Sequence, residues 1–418
     1  MTTPQILGLK KSFGFGDRLG LATPGHLAAV RQFPDFAPIF AQQSIREMTR
    51  TRRSPADVMT AAQTALEKVG YLGIWGADAD HLKTPEDVER VAAAGFCFFT
   101  IDPSAGVDNH ADHMDEAGLR AAVERLEAEG LFADFSWRDY YLDRVFSVGH
   151  GIVLQFDEET ILRAIVKYSR ATAIAATLGE SIVRCSAGRP YEIEVSVDET
   201  DAPTTPLEHL FFALELKRRG IENLVSLAPR FIGEFEKGID YRGDLVRFEA
   251  QLRLHVAVAK FAGPYKISVH SGSDKFTAYP VIGRVCGRHL HVKTAGTSYL
   301  EALRVVARTK PDLFAEIAAY CRGRFDTDKA SYHISTTSQD IAALPAFQGP
   351  EEEAIYLNET AGRQLLHVTF GSVLTQGIAA NGRPFRDALL ECLVQESDLH
   401  AEFLSNHFIK HLSRLNAG

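Results

Sequence analysis

The chain has 418 residues, of which 45% are hydrophobic and 24% charged, and this composition is ordinary for a globular enzyme with a large core. The net charge of -9 argues against a nucleic-acid partner, because phosphates call for a basic surface. No apolar run approaches the roughly 20 residues that span a bilayer, the polar start is unlike a signal peptide, and the five cysteines are scattered. These features predict a cytoplasmic protein with reduced thiols and no membrane partner.

Apolar runs and amphipathic stretches alternate along the chain. The first clear unit is an apolar run at 71–81 that ends in Asp80 and His81, followed by a helix at 84–95 that Thr84 caps. The order recurs, with strands predicted at 96–104, 191–200, 223–231, 265–274 and 289–298, and helices at 115–130, from residue 157, and at 206–220. This order predicts an α/β fold whose parallel sheet is closed or doubly wound, with chemistry at the strands' carboxyl ends.

Two segments fit the alternation less well. Residues 105–150 are predicted to form an insertion over the site, and residues 384–418 a C-terminal helical extension. We see no internal repeat, low-complexity tract or linker, so we expect one elaborated domain over residues 1–418.

Two other patterns are weaker evidence for a site. The stretch GFGDRLG at 14–20 resembles a dinucleotide fingerprint, but its third glycine is one position late and no strand precedes it. We interpret it as a turn near the barrel entrance, where Asp17 or Arg18 could touch ligand. His400, His407 and His411 lie on a predicted amphipathic helix, and we interpret them as solvent-facing or packing residues rather than metal ligands.

Polar side chains end several of the predicted strands. They are Asp80 with His81, Asp198 with Glu199, His270, and His291 with Lys293. Imidazoles and carboxylates that converge from different strands can hold a divalent cation such as Zn, Mn, Co or Ni. The sequence therefore predicts a metal site, although it has no compact motif such as HExxH.

Four longer stretches, at 196–209, 226–241, 269–276 and 291–304, resemble the tagaturonate/fructuronate epimerase family. The resemblance extends over roughly residues 70–418. It implies a (β/α)8 TIM-type barrel with insertions and a metal-dependent epimerase that acts at carbon 4 of a ketohexuronate or a ketohexose such as tagatose. The expected partner is a small sugar, and a homo-oligomer is one expectation for the assembly.

A more distant likeness, to class II aldolases, suggests roles for individual residues. Asp80 and His81 match the aldolase base and metal ligand, and His270 matches a second ligand. The strand at 223–231 has no histidine, so His291 is our candidate for the third ligand. Asp274 stands where a phosphate-binding loop would have glycine, which favours an unphosphorylated substrate because a carboxylate repels phosphate.

The chemistry of a 2-ketose restricts the mechanism. The carbonyl does not acidify the hydrogen on carbon 4, so simple proton abstraction cannot invert that centre. Retro-aldol cleavage between carbons 3 and 4 and re-addition to the other aldehyde face fits a metal site better than transient oxidation, for which the chain offers no good cofactor site. A metal-dependent aldose–ketose isomerase and an idle sugar-binding barrel are the alternatives.

The predicted roles follow from this mechanism. The metal ligands are His81, His270 and His291, and Asp80 is the base for the carbon-4 hydroxyl. The predicted acid/base group on the opposite face of carbon 4 is Glu199. The alternatives for this role are Glu194 and Asp198 on the same strand. The predicted substrate contacts are Ser273, Asp274 and Lys293, of which Lys293 would suit the carboxylate of a uronate.

Overall fold

The described part of the chain contains ten short strands, and eight of them are buried runs that build one barrel. The computed structural model describes residues 2–133, 135–142, 144–270 and 274–417. The strands are β1 (Ser12–Gly16), β2 (Ala37–Ser44), β3 (Gly76–Leu82), β4 (Phe98–Ile101), β5 (Val145–Gly149), β6 (Ile152–Gln155), β7 (Glu192–Val197), β8 (Leu224–Pro229), β9 (Lys266–His270) and β10 (Leu290–Thr294).

The barrel closes through parallel pairing in the order β1-β10-β9-β8-β7-β4-β3-β2 and back to β1. Ser12 of β1 pairs with His291 on one side and with Ala37 on the other, so β1 joins the two ends of the sheet. Strands β5 and β6 form a separate antiparallel hairpin. With its flanking helices this is a (β/α)8 TIM-type barrel, and the predicted fold class is confirmed.

Helices follow most of the barrel strands, and side-chain caps begin many of them. Thr84 and Thr205, for example, each accept a hydrogen bond from a backbone N–H in the first helical turn. The helices are α1 (Thr23–Val30), α2 (Ile45–Thr51), α3 (Pro55–Lys68), α4 (Pro85–Ala93), α5 (Glu116–Ala128), α6 (Glu158–Ser186), α7 (Pro206–Arg218), α8 (Leu245–Ala262), α9 (Tyr279–Cys286), α10 (Thr297–Thr309), α11 (Pro311–Asp328), α12 (Ser338–Ala343), α13 (Glu353–Leu357), α14 (Thr360–Thr375), α15 (Phe385–Gln395) and α16 (Ser397–Asn416).

The C-terminal helix returns to the barrel. Helix α16 packs against α1, α9 and α10, and the ring of its Phe408 lies 5.1 Å from that of Phe15 in β1. A second apolar cluster joins α10, α11, α14 and α15, with Tyr299 and Phe314 among its buried members. The C-terminal region therefore covers one side of the barrel and adds a smaller core beside it.

Two residues of the segment 105–150 contact helices on the outside of the barrel. Asp112 forms an ion pair of 2.9 Å with Lys167 of α6, and the Tyr141 hydroxyl donates to Glu215 of α7 over 3.0 Å. These contacts place Asp112 and Tyr141 against the outer helices, and an insertion over the site stays a prediction.

The first two strands were not predicted from the sequence. Residues 12–16 form β1, so the first two glycines of GFGDRLG belong to the barrel and the expected turn begins only after them. A Cβ atom at Gly16 would lie 2.4 Å from the carbonyl oxygen of Thr294, so glycine is what allows β1 to approach β10 there. The side chain of Asp17 accepts backbone hydrogen bonds from Leu19, Gly20 and Ala22, so it fixes the following turn.

None of the described helices combines the length and the apolar composition that a membrane span requires. All five cysteines are free thiols. The cytoplasmic location and the homo-oligomer stay predictions.

Candidate active site

Strand β3 carries a bulge at the point where it presents Asp80 and His81. Ala79 pairs with Phe99 of β4, but the next pair joins Leu82 to Ile101, so β3 contains one extra residue. His81 has a φ of 54°, in the left-handed region that residues other than glycine seldom adopt. Bulges of this kind redirect side chains near active sites, and here His81 Nε2 lies 3.7 Å from Oδ1 of Asp80.

His270 at the end of β9 completes a compact group with these two residues. Asp80, His81 and His270 each offer one atom that could bind a metal, and these atoms lie within 4.8 Å of one another. The two imidazole rings are 5.3 Å apart and nearly perpendicular. Two of the three predicted ligands and the predicted base therefore converge.

Carboxylates hold both imidazole rings from outside this group. His81 Nδ1 lies 3.1 Å from Oδ2 of Asp102, which follows β4. His270 Nε2 lies 2.7 Å from Oε1 of Glu194, and its Nδ1 lies 3.4 Å from Oδ2 of Asp198. Each ring is thus fixed in orientation by an acceptor, as is common for histidines that bind metals.

The electrostatics of the group show an excess of negative charge. Burial works against the charged ring of His81, but the carboxylates of Asp80 and Asp102 outweigh it and raise the pKa of His81 to about 9. Burial is likewise outweighed at His270, where Asp198 and Glu194 raise the pKa to about 10. Carboxylates that stabilise a positive ring equally favour a bound cation.

Lys293 lies among carboxylates in the barrel interior. Its Nζ atom is 2.7 Å from Asp78, 2.9 Å from Asp80 and 2.8 Å from Glu194. Burial opposes the charge, but Asp78 and Asp80 raise the pKa of Lys293 above its usual range. Burial raises the pKa of Asp78 to about 7, whereas at Asp80 the charges of His81 and Lys293 outweigh burial and lower the pKa to about 2. The predicted substrate contact Lys293 is therefore engaged with protein carboxylates.

A cleft of about 320 Å³ opens beside His270, and a smaller pocket of about 40 Å³ contains Asp80, His81 and Lys293. The two cavities share lining residues, namely Arg46, Lys237, His270 and Tyr332. Arg230 also lines the cleft. The cleft lies at the carboxyl ends of barrel strands, where this fold binds its ligands, and it is polar. Its lining combines three cationic side chains with four carboxylates, namely Arg46, Arg230 and Lys237 with Asp198, Glu199, Asp201 and Glu234.

The carboxylates near the end of β7 occupy different depths. Glu194 is completely buried and contacts His270 and Lys293 in the interior. Asp198 and Glu199 both line the cleft, and Glu199 forms a 3.2 Å ion pair with Arg46. Of the three carboxylates considered from sequence, Asp198 and Glu199 are the two in reach of a molecule in the cleft.

His291 does not join the group formed by Asp80, His81 and His270. It is the second residue of β10 and pairs with Ser268, whereas Lys293 pairs with His270. His291 therefore lies two residues below the level of His270, where its Nδ1 atom is 2.9 Å from the Ser12 hydroxyl. Burial lowers the pKa of His291 well below its usual value. His291 was predicted as the third ligand because the carboxyl end of β10 was taken to lie earlier in the chain than it does.

The remaining predicted contacts lie elsewhere or outside the described structure. Ser273 lies outside the described residues. Asp274 is buried, with Oδ2 2.7 Å from Arg363 and Oδ1 bonded to His407 and His411. Because these groups compensate its charge and it lines neither cavity of the candidate site, repulsion by Asp274 gives no argument against a phosphate. His407 and His411 were expected to face solvent or to take part in packing, and of these alternatives the solvent-facing one is excluded because both residues are buried.

Comparison with known proteins identifies the family. The sequence model of UxaE, tagaturonate epimerase, matches residues 1–415. A tagaturonate/fructuronate epimerase of Thermotoga maritima is 41% identical over 415 residues, which are 99% of this chain and 82% of that protein.

The chain belongs to the tagaturonate epimerase family.

Solved structures of this family agree with the fold. The native crystal structure of fructuronate-tagaturonate epimerase UxaE from Cohnella laeviribosi is 39% identical, with a TM-score of 0.90 over 99% of this chain and 83% of that chain. A structure of the same enzyme with one glycerol has a TM-score of 0.90 at 38% identity. The predicted family and the predicted enzyme class, an isomerase of the epimerase type, are confirmed.

The residues present fit a divalent cation in this member of the tagaturonate epimerase family. The imidazoles of His81 and His270 suit Zn, Mn, Co or Ni, Asp198 places a carboxylate beside His270 that can complete the donor set, and the carboxylate of Asp80 lies next to the two rings. The chain as described thus contains candidate ligands, and the identity of a metal stays a prediction.

Several residues of the site had no assigned role in the sequence. Asp102 was visible at a strand end, and its distance to His81 depends on the pairing of β3 with β4. Arg46 follows β2, a strand that was not predicted, and Lys237 lies in the long connection after β8. Only the closure of the barrel brings these cations to the same cleft.

Proposed function

We propose that this protein interconverts tagaturonate and fructuronate by a metal-dependent retro-aldol reaction at carbon 4. The observation that carries the proposal is the convergence of Asp80, His81 and His270, whose potential ligand atoms lie within 4.8 Å of one another, in a pocket that shares lining residues with a larger polar cleft. Membership of the tagaturonate epimerase family supports this substrate pair.

The proposed reaction breaks and remakes one carbon–carbon bond. The carbon-4 hydroxyl loses its proton and becomes an aldehyde, while the electrons of the C3–C4 bond pass to the ketone fragment as an enediolate. The aldehyde turns, the enediolate adds to its other face, and the new carbon-4 oxygen receives a proton. No redox cofactor is required, and the hydrogen on carbon 4 stays on its carbon.

His81 and His270 are the proposed ligands of a divalent cation, with Asp198 as the nearest additional carboxylate. When bound, the cation would polarise the ketone and stabilise the negative charge of the enediolate. The protein fixes the two rings through Asp102 and Glu194, as the distances of 3.1 Å and 2.7 Å indicate.

Asp80 is the proposed base for the carbon-4 hydroxyl. Lys293 holds its Oδ1 at 2.9 Å and leaves the carboxylate in the small pocket beside His81. Inversion needs a second acid/base group that exchanges a proton with the carbon-4 oxygen on the opposite face, and we assign this role to Glu199. Glu199 lies in the cleft, and its ion pair with Arg46 gives it a defined position.

The carboxylate of the substrate needs a cation, and Lys293 is surrounded by protein carboxylates. Lys237 and Arg230 line the cleft, and no ion pair of either side chain is found within the described residues. We assign recognition of the uronate carboxylate to these two residues, with Lys237 nearer to Asp80 because it lines both cavities.

Removal of metal tests the proposal. Chelator-treated protein should lose the interconversion of tagaturonate and fructuronate, and a divalent cation should restore it. His270→Ala should lose this activity, whereas His289→Ala, at the opposite end of the barrel, should keep it. Full activity of the metal-free protein would contradict the proposal, as would an enzyme that isomerises only carbons 1 and 2 or turns over no sugar.

A further inference from the structure

A second group of potential metal ligands lies outside the candidate active site. His407 and His411 are one turn apart on α16, and their Nε2 atoms are 3.1 Å from each other. Both also lie close to Oδ1 of Asp274, at 3.0 Å and 2.9 Å. All three residues are buried, and these atoms meet around one point.

Hydrogen bonding alone satisfies this geometry poorly. A carboxylate oxygen only accepts, so each of its contacts with an imidazole needs a proton on that Nε2 atom. If both Nε2 atoms carry protons, two N–H groups face each other across 3.1 Å. If one does not, its lone pair faces the carboxylate of Asp274. A cation between the three atoms satisfies every contact at once.

The outer contacts of the two rings support this arrangement. Nδ1 of His407 lies 3.4 Å from Oε1 of Glu301, and a carboxylate there requires the proton to be on Nδ1. Nδ1 of His411 lies 3.0 Å from the Tyr279 hydroxyl, whose oxygen can accept a hydrogen bond from the ring N–H. Both contacts leave the Nε2 lone pairs directed inward, as in histidines whose second nitrogen is held by an outer group.

The group also has access to solvent and an open side. Asp274 and His407 line a cleft of about 570 Å³ that shares no lining residue with the two cavities of the candidate active site. Arg363 binds Oδ2 of Asp274 at 2.7 Å and leaves Oδ1 for the two rings. A cation could therefore enter from this cleft and keep a water molecule as an additional ligand.

We propose that Asp274, His407 and His411 bind a second divalent transition-metal ion, with zinc as the best match for two imidazoles and one carboxylate. This site joins α16 to the region just after β9, because Asp274 lies four residues beyond His270. Its role is structural, and it does not depend on the proposed reaction.

Metal counting with zinc as the probe tests this site in the full-length protein. Chelator-treated protein is titrated with zinc, and the bound metal is measured after gel filtration. The wild type should bind two equivalents, His407→Gln one, His270→Ala one, and the double variant none. His400→Gln, on the same buried helix but outside the group, should still bind two. Zinc should raise the melting temperature of His270→Ala but not that of the double variant.

The variants separate this proposal from the active-site metal. Loss of zinc in His270→Ala but not in His407→Gln would leave only a hydrogen-bonded cluster and would overturn the second site. A wild type that binds no zinc would also overturn it. One equivalent that is lost in His407→Gln and kept in His270→Ala would support the second site and contradict the proposed active-site metal. If His407→Gln fails to fold, Asp274→Asn, which keeps the shape of the side chain, gives the same comparison.

Discussion

His81 Nδ1 lies 3.1 Å from Oδ2 of Asp102, and the same carboxylate oxygen is 3.1 Å from Nζ of Lys83. The other oxygen of Asp102 accepts a hydrogen bond from the backbone N–H of Ser104 at 3.0 Å, and this bond holds the carboxylate in the position from which it orients the ring. Asp102 is therefore a positioning residue for His81, and it acts on the metal only through that ring.

Asp102→Asn should weaken metal binding more than it weakens chemistry. The asparagine can still accept from Ser104, but it removes the charge that orients His81 and makes its ring more basic. We expect metal affinity to fall by about 10- to 100-fold, with turnover largely restored at saturating metal. Metal titrations followed by activity measure this. Lys83 contacts the same oxygen from the exposed side, and Lys83→Met should leave metal affinity nearly unchanged. A turnover defect in Asp102→Asn that added metal cannot correct would contradict the assigned role.

Asp80→Asn should impair turnover rather than folding or metal content. The substitution preserves the shape of the side chain and removes the group that accepts the carbon-4 proton, so we expect turnover to fall on the order of 10²-fold or more. Asp78→Asn is the matched control, because Asp78 binds the same lysine but does not line the pocket. It should change stability more than turnover, and wild-type turnover in Asp80→Asn would move the base to another residue.

Lys293→Met should mainly destabilise the fold. The variant leaves Asp78, Asp80 and Glu194 without their shared ammonium group in the barrel interior. Removal of one partner of a buried ion pair costs about 3–5 kcal/mol, and denaturant unfolding would detect this loss. Adding Asp78→Asn should recover part of it. A variant of normal stability with a raised KM for the uronate alone would instead show that Lys293 contacts the substrate.

Lys237→Met should separate the uronate from a neutral ketose. A charge-assisted hydrogen bond contributes about 1.5–3 kcal/mol, which corresponds to roughly a 10- to 100-fold rise in KM for tagaturonate. Tagatose lacks the carboxylate, so its KM should change little and it serves as the internal control. Arg230→Met should show the same pattern, and equal effects on both sugars would assign these residues to a hydroxyl that the two substrates share.

The sequence predicted those parts of the site that depend on short-range patterns. Asp80, His81 and His270 were found because each follows an apolar run, and the barrel brings such positions to one end. His291 was misplaced because the apolar pattern of β10 shows a strand but not how many residues precede its carboxyl end. A shift of two residues along a strand keeps the side chain on the same face but moves it by about 6–7 Å along the strand.

Other features depend on strand pairing and helix packing between distant parts of the chain, which local sequence patterns do not indicate. The bulge in β3 becomes visible only from its register with β4, and the burial of His407 and His411 follows from the packing of α16 on α9 and α10. Strands β1 and β2 were missed because their glycines and glutamines weaken the apolar signal. At Gly16 a glycine is required because β1 approaches β10 closely there.

The most direct test of the proposed reaction compares tagaturonate deuterated at carbon 4 with the unlabelled sugar, using metal-loaded enzyme and NMR spectroscopy of the products. Retro-aldol epimerisation never breaks the bond between carbon 4 and its hydrogen. We therefore predict fructuronate that retains all its deuterium and forms at nearly the same rate as from the unlabelled sugar. Loss of deuterium to water, or a large slowing by deuterium that signals hydride transfer, would contradict the account.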